Sequence, residues 1–298
     1  MNRLLYLFAF LCIAFNGYCQ INPADSTVQV IGYWDKNEAH TYTIEYKKYK
    51  LKAEDTITTQ NYSYKVDIIV TDSTESSYTV QWKYRDFTSK NSNNISFRAA
   101  ALANGLTVKF KTNEIGEYQE LLNWKEVDEH YKNGLKLLQK DKEIPQYIIN
   151  LLATANRRET VEDVLLKDIA HFYAFYGHSM GLGEEISDVV DEKNEFGAVV
   201  KSDVYLTLDE IDFEEESFLL KFYQTYDDET IVGALGSAFK ELAGNDAEEL
   251  KNTIKVSGLE DYYGTYMHNS GWPFSLYYER SMQLNGDSVI ESRFITLD

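Results

Sequence analysis

Three early segments alternate apolar or aromatic side chains with polar ones almost residue by residue: TYTIEYKKYKL at 41–51, NYSYKVDIIVTD at 61–72 and SYTVQWKYRDF at 77–87. A period of two sends successive side chains to opposite faces of an extended chain, so each segment predicts a strand with one buried face. Tyr, Thr, Val and Ile, which dominate these segments, suit a half-buried pleated surface. The connections are short and turn-prone, AEDT at 53–56 and DSTESS at 72–77. A parallel crossover needs a dozen or more residues, so neighbours this close in sequence pair antiparallel. GLTVKFKTNE at 105–114 adds another strand, and Gly116 ends the region.

The period then changes. Trp124, Val127, Tyr131, Leu135 and Leu138 recur every three or four residues, which places them on one face of a helix. A second helix is expected from Pro145, a residue favoured in a first turn, with Tyr147, Ile148, Leu151 and Leu152 on its apolar side. A third is expected in ETVEDVLLKDIAHFYAFYG, where Thr160 and Asp163 have the spacing of a capping box. Its apolar positions are Val161, Val164, Leu165, Ile169, Phe172 and Phe175 or Tyr176. The residues that follow, 181–197, begin with glycines and show weak helical periodicity. Strands return at 199–211 and 217–226, with the acidic DEIDFEEES of 209–217 read as the charged turn between them. One further helix is expected at about 228–243. The strands 275–284 and 287–297 are joined by Asn285-Gly286, a two-residue hairpin signal. Strands at both ends with helices between predict an α+β fold: an antiparallel, curved sheet from N- and C-terminal strands with a central helical block packed on it. No repeat or linker divides the chain, so a single domain is expected over 20–298: strand-rich at 20–118, helical at 119–180, and strands plus one helix at 181–298.

The opening MNRLLYLFAFLCIAFNGYCQ combines Arg3, an apolar run from Leu4 to Phe15, and small residues at Gly17 and Cys19, the features of a secretory leader ending at residue 19. The run is shorter than the roughly 20 residues that cross a bilayer as a helix, and no transmembrane segment is expected in the mature chain. Bulky Tyr18 argues against lipid anchoring at Cys19. Cys12 is the other cysteine, so leader removal leaves no thiol for disulfides, thiolate metal sites or cysteine nucleophiles. Export to the periplasm or cell surface follows. The net charge of −19 disfavours nucleic acid and anionic lipid as partners. Much of it lies at 181–250, where 20 Asp or Glu face 4 Lys or Arg.

Gly177-His178-Ser179-Met180-Gly181 spells G-x-S-x-G, the pattern of a serine hydrolase nucleophile elbow. An elbow needs a strand before the serine and a helix after it, whereas here the strongest helical pattern precedes it. The histidine available as a general base downstream is His268, making Ser179 and His268 the catalytic alternative to a chain without a catalytic site. His171 and His178, with Glu184 or Glu185, match no common zinc spacing, and His40 and His130 stand alone; no metal or cofactor is expected. The 23 Tyr, 15 Phe and 4 Trp point either to ligand contact or to tyrosines covering half-exposed sheet faces. GWPFSLYYE at 271–279 is the densest such stretch, with Trp272 anchoring the start of a strand at Pro273. Asn61-Tyr62-Ser63 and Asn94-Ile95-Ser96 fit the glycosylation pattern by chance.

IGYWDKNEAHTYTIEYKKYKL, DSTESSYTVQWKY, FYAFYG and GWPFSLYYER together resemble a group of exported proteins of Bacteroidota-type Gram-negative bacteria. The resemblance spans most of the mature chain and brings no catalytic residues with it. The layout is similar to the open sheets of periplasmic lipoprotein carriers, whose helices cover an apolar concavity. The expectation is a non-enzymatic protein binding an apolar or amphipathic ligand, or an envelope protein partner; the alternatives are a hydrolase acting through Ser179 and a structural envelope component.

Overall fold

A computed structural model describes residues 20–52, 55–140, 149, 166–193, 198–243 and 255–298. Residues 1–19, read above as a secretory leader and containing Cys12 and Cys19, lie outside these residues, as do Pro145 and the second expected helix around it, except Ile149. The proposed capping box at Thr160 also lies outside them.

Two short strands open the described chain, β1 (Ile21–Asn22) and β2 (Thr27–Gln29). A long meander follows: β3 (Ala39–Lys52), β4 (Asp55–Thr74), β5 (Ser77–Ser89), helix α1 (Ile95–Ala100), β6 (Thr107–Asn113) and β7 (Tyr118–Leu121). Helices α2 (Trp124–Leu138) and α3 (Lys167–Tyr173) come next, then β8 (Ser179–Gly181) and β9 (Glu185–Lys193). The last part is β10 (Val199–Asp212), β11 (Ser217–Tyr226), α4 (Asp228–Ala243), β12 (Val256–His268), β13 (Pro273–Leu284) and β14 (Asp287–Leu297).

Eleven strands form one open antiparallel sheet in the order β7-β6-β5-β4-β3-β14-β13-β12-β11-β10-β9. Two meanders, one from each end of the chain, meet where β3 pairs β14, with Ile44 opposite Ile295. A separate three-stranded sheet, β1-β2-β8, shares the same core, contributing Ile21, Val28 and Met180 to it. The expected antiparallel, strand-rich architecture is present. The helical block is present in part, as α2 and α3, because much of 141–165 is outside the described residues. Residues 185–193, whose sequence shows weak helical periodicity, form strand β9. Paired along its length with β10, this segment gains ladder bonds that its weak periodicity does not announce.

The alternation of the early strands becomes a core. Tyr42 and Ile44 of β3, Val66 and Ile68 of β4, Val80 and Trp82 of β5 and Phe110 of β6 are all buried on one face, here called inner. Helix α3 lies on that face. Its Phe172 meets Tyr42 and Trp82 edge-on at 5.1 and 5.3 Å, an arrangement that suits the ring quadrupoles. Helix α2 buries Val127, Tyr131, Leu135 and Leu138, the positions its periodicity marked. Its start is tied down by Asn123, whose side-chain oxygen accepts from Lys109 N–H at 2.7 Å and whose amide donates to Thr107 O at 2.9 Å on β6. Asn94, part of a glycosylation-like triplet, caps α1 by accepting from the N–H groups of Ser96 and Phe97. At the last hairpin, Asn285 and Gly286 both have positive φ, 53° and 86°, as a type I′ turn requires.

Candidate functional site

The described residues bring polar groups together in two places: an enclosed network on the inner face, and a pocket at one end of the sheet.

The network runs from β12 through β14 to α3. Arg280 grips Asp261 with two parallel hydrogen bonds, Nε to Oδ1 at 2.7 Å and Nη2 to Oδ2 at 2.6 Å, the planar fork that only arginine supplies. Tyr226 and Tyr278 donate their hydroxyls to the same carboxylate, which is 1% exposed. Beside it, Arg293 lies over the rings of Tyr46 and Tyr278 and reaches Glu291 at 3.1 Å and Asp168 at 3.4 Å. Tyr64 donates to Asp168 at 2.5 Å. Burial raises the Asp168 carboxyl above the usual range, against the pull of Arg293 and Tyr64. Burial acts the same way on Glu291, but there the attraction of Arg293, Lys48, Lys167 and Arg280 wins and holds the group low. His171 is stacked on Tyr278 at 4.2 Å and meets Tyr263 edge-on. Desolvation first, then the nearby cations Arg293, Lys167 and Arg280, depress its basicity well below that of a free imidazole. Charges so enclosed act on one another; the network knits α3 to the C-terminal strands.

The pocket is built by two β-bulges. In β10 the register with β11 steps from Leu208↔Leu220 to Glu210↔Leu219, leaving Asp209 as the extra residue. In β13 it steps from Tyr266↔Ser275 to Met267↔Pro273, leaving Phe274 as the extra residue. A bulge reverses the alternation beyond it. Glu210, which would otherwise follow Leu208 to the inner face, instead joins the outer row Glu210–Leu219–Tyr266–Ser275 across four strands. Phe274 turns onto the ring of Tyr266, centroids 5.6 Å apart. One row further on, Asp212, Ser217 and His268 are register partners.

The side chains of these two rows and Phe274 line a half-open cavity of about 640 Å3, with His40, Trp272 and Leu297 also in its wall. Trp272 is its fixed part: 2% exposed, it packs between Trp34 and His40 at 4.9 and 4.5 Å and donates Nε1–H to Glu38 at 2.8 Å. The two turns beside the cavity are held together by Asn269 N–H donating to Glu216 O at 2.9 Å. Tyr266 and Phe274 stay 39% and 37% exposed, so aromatic faces are presented to an incoming molecule.

Ser179 and His268 fall in different parts of this arrangement. Ser179 opens β8, is exposed, and pairs with Gln29 in the small sheet. Its context is helix, turn, strand: α3 ends, Gly177 takes φ of +91°, and β8 begins. His268 ends β12, lines the cavity, and accepts from Ser270 N–H at 3.3 Å. His171 is enclosed in α3, whereas His178 points Nδ1 at Phe175 O at 3.1 Å, and Glu184 accepts from Gly181 N–H. Among the described residues no cluster of three His, Cys, Asp or Glu is placed to hold a metal ion. His130 meets Leu102 O at 2.7 Å. Many of the surplus tyrosines are core residues with satisfied hydroxyls, such as Tyr42 to Pro273 O and Tyr176 to Gly271 O. The sequence held signals for the pocket: the aromatic stretch at 271–279, and an acidic run at 209–217 that reads as a simple turn until the register is known.

No family model matches the chain, and no curated protein matches it. Among solved structures it is similar to lipovitellin, in a study of lipid–protein interactions, at 10% identity and a TM-score of 0.42 over 89% of this chain and 25% of that one. The chain thus spans about a quarter of lipovitellin's length. It is also similar to a porin-like protein from Bacteroides uniformis ATCC 8492, at 7% identity and a TM-score of 0.20, covering 90% and 98% of the two chains. No described helix is long and apolar enough to cross a membrane.

Proposed function

We propose that this chain is a non-enzymatic binding protein of the bacterial cell envelope, exported by its first 19 residues, and that it holds an apolar or amphipathic small molecule in the pocket at the bulged end of the sheet. The observation that carries this reading is the cavity of about 640 Å3 walled by Tyr266, Phe274, Trp272, Leu219 and Leu297. That volume lies within the roughly 300–1,000 Å3 of small-molecule sites, which are mostly apolar with a few polar groups at fixed positions. The carrier layout suggested a ligand under the helices, on the inner face. There, however, Phe172, Trp82 and Tyr42 pack edge to face beneath α3, which fills that part of the face and favours the strand-end pocket.

Native mass spectrometry of protein purified gently from its host envelope tests the proposal. An extra mass that organic solvent removes, and that is lost in Phe274→Glu, supports it. A bare mass in the parent protein, under conditions where it stays folded, overturns it.

A further inference from the structure

We propose that the ligand carries a positive charge on an apolar body; this rests on the binding reading above and narrows it to organic cations. Three carboxylates, Glu210, Asp212 and Glu215, line the cavity, and no lysine or arginine does. Among the described residues, no ion pair engages any of the three. Lys221, the nearest strand lysine in register, is taken up by the bulge residue Asp209 at 2.6 Å. The bulge therefore has two effects at once: it gives Asp209 to a lysine and brings Glu210, uncompensated, to the row of Tyr266.

Asp212 is fixed as well as charged. One of its carboxylate oxygens accepts the N–H groups of Glu214 and Glu215, both at 2.9 Å, which leaves the other oxygen uncommitted to this turn. The aromatic wall adds the second element of cation recognition. Phe274 and Tyr266, paired and about two-fifths exposed, offer the negative faces of their rings to a cation within about 6 Å. A weakly hydrated ammonium bearing alkyl groups satisfies both elements, since its methyl surface fits the ring faces and its charge answers the carboxylates. An anion of the same shape meets three like charges, in a chain whose net charge is already −19.

Titration calorimetry with three probes of one chain length, octyltrimethylammonium, octan-1-ol and octanoate, separates charge recognition from binding itself. The expected order is cation tightest by about ten-fold over the alcohol, with octanoate weakest. In the variant Glu210→Gln/Glu215→Gln the cation's advantage shrinks several-fold while octan-1-ol affinity is unchanged, and Phe274→Ala weakens both. If all three probes bind alike, or the double variant keeps the cation preference, the charge inference is overturned and the binding reading stands. If none of the three binds the folded protein, the binding reading itself falls.

Discussion

The enclosed Arg280–Asp261 pair makes a prediction whose two halves differ in size for a structural reason. Breaking a buried ion pair by removing one partner costs about 3–5 kcal/mol, much of it from the charge left behind. Here the survivors are not equivalent: the Asp261 side chain is 1% exposed, whereas that of Arg280 is 29% exposed. Arg280→Met strands a carboxylate that cannot reach water and keeps only the hydroxyls of Tyr226 and Tyr278, so a loss of about 3 kcal/mol is expected. Asp261→Asn leaves the charge on a side chain that is already 29% exposed, and the amide oxygen can still accept from the tyrosines. A loss of about 1–2 kcal/mol is expected there. The double variant should lose less than the sum, with a coupling of about 1–2 kcal/mol. Urea unfolding followed by far-UV circular dichroism at pH 7 gives these differences, provided the slope with denaturant stays constant. An Asp261→Asn loss exceeding that of Arg280→Met, or an Arg280→Met variant within about 0.5 kcal/mol of the parent, refutes the argument that the stranded buried charge dominates.

Three further outcomes follow from other residues. His171 is held neutral when folded, below its unfolded basicity, so the unfolded chain binds the extra proton: stability should fall as pH drops below about 6.5, by at most about 1.4 kcal/mol per pH unit. His171→Phe should remove that part of the slope, and a parent-minus-variant difference that stays flat from pH 7 to 5 contradicts it. Gly177→Ala should cost more than about 1 kcal/mol in the same unfolding assay, because φ is +91° and a Cβ would sit 2.2 Å from Glu117 Oε1; an unchanged midpoint would show that this turn relaxes freely. A fluorophosphonate probe should leave the protein unlabelled, since Ser179 follows a helix and opens a strand; labelling abolished by Ser179→Ala would restore the hydrolase alternative.

How far the sequence reached depends on whether a feature is local. Alternation at 41–51 and 77–87, the three-to-four spacing of Val127, Tyr131, Leu135 and Leu138, and the Asn285-Gly286 turn are each properties of one segment. All three appear in the structure at their expected places. Strand β9 and strand β12, by contrast, have no clear pattern of their own. Each is held by neighbours on both flanks or by a single edge partner, and that information is spread over distant residues.

The pocket illustrates the same division. Its ingredients, the acids of 209–217 and the aromatics of 271–279, stand plainly in the sequence. That they face one another depends on two bulges, at Asp209 and Phe274, which reverse the alternation in strands separated by more than sixty residues. By itself, then, the sequence determined the elements: strands from period two, helices from period 3.6, and an acidic, aromatic-rich character, because side-chain periodicity and composition act locally. The tertiary structure alone decided that β3 meets β14 so that the N- and C-terminal meanders join in one open sheet, that Ser179 and His268 belong to different sheets, and that Glu210 shares a row with Tyr266. Register between strands is a relation between residues far apart, and one extra residue in one strand moves every side chain beyond it to the other face.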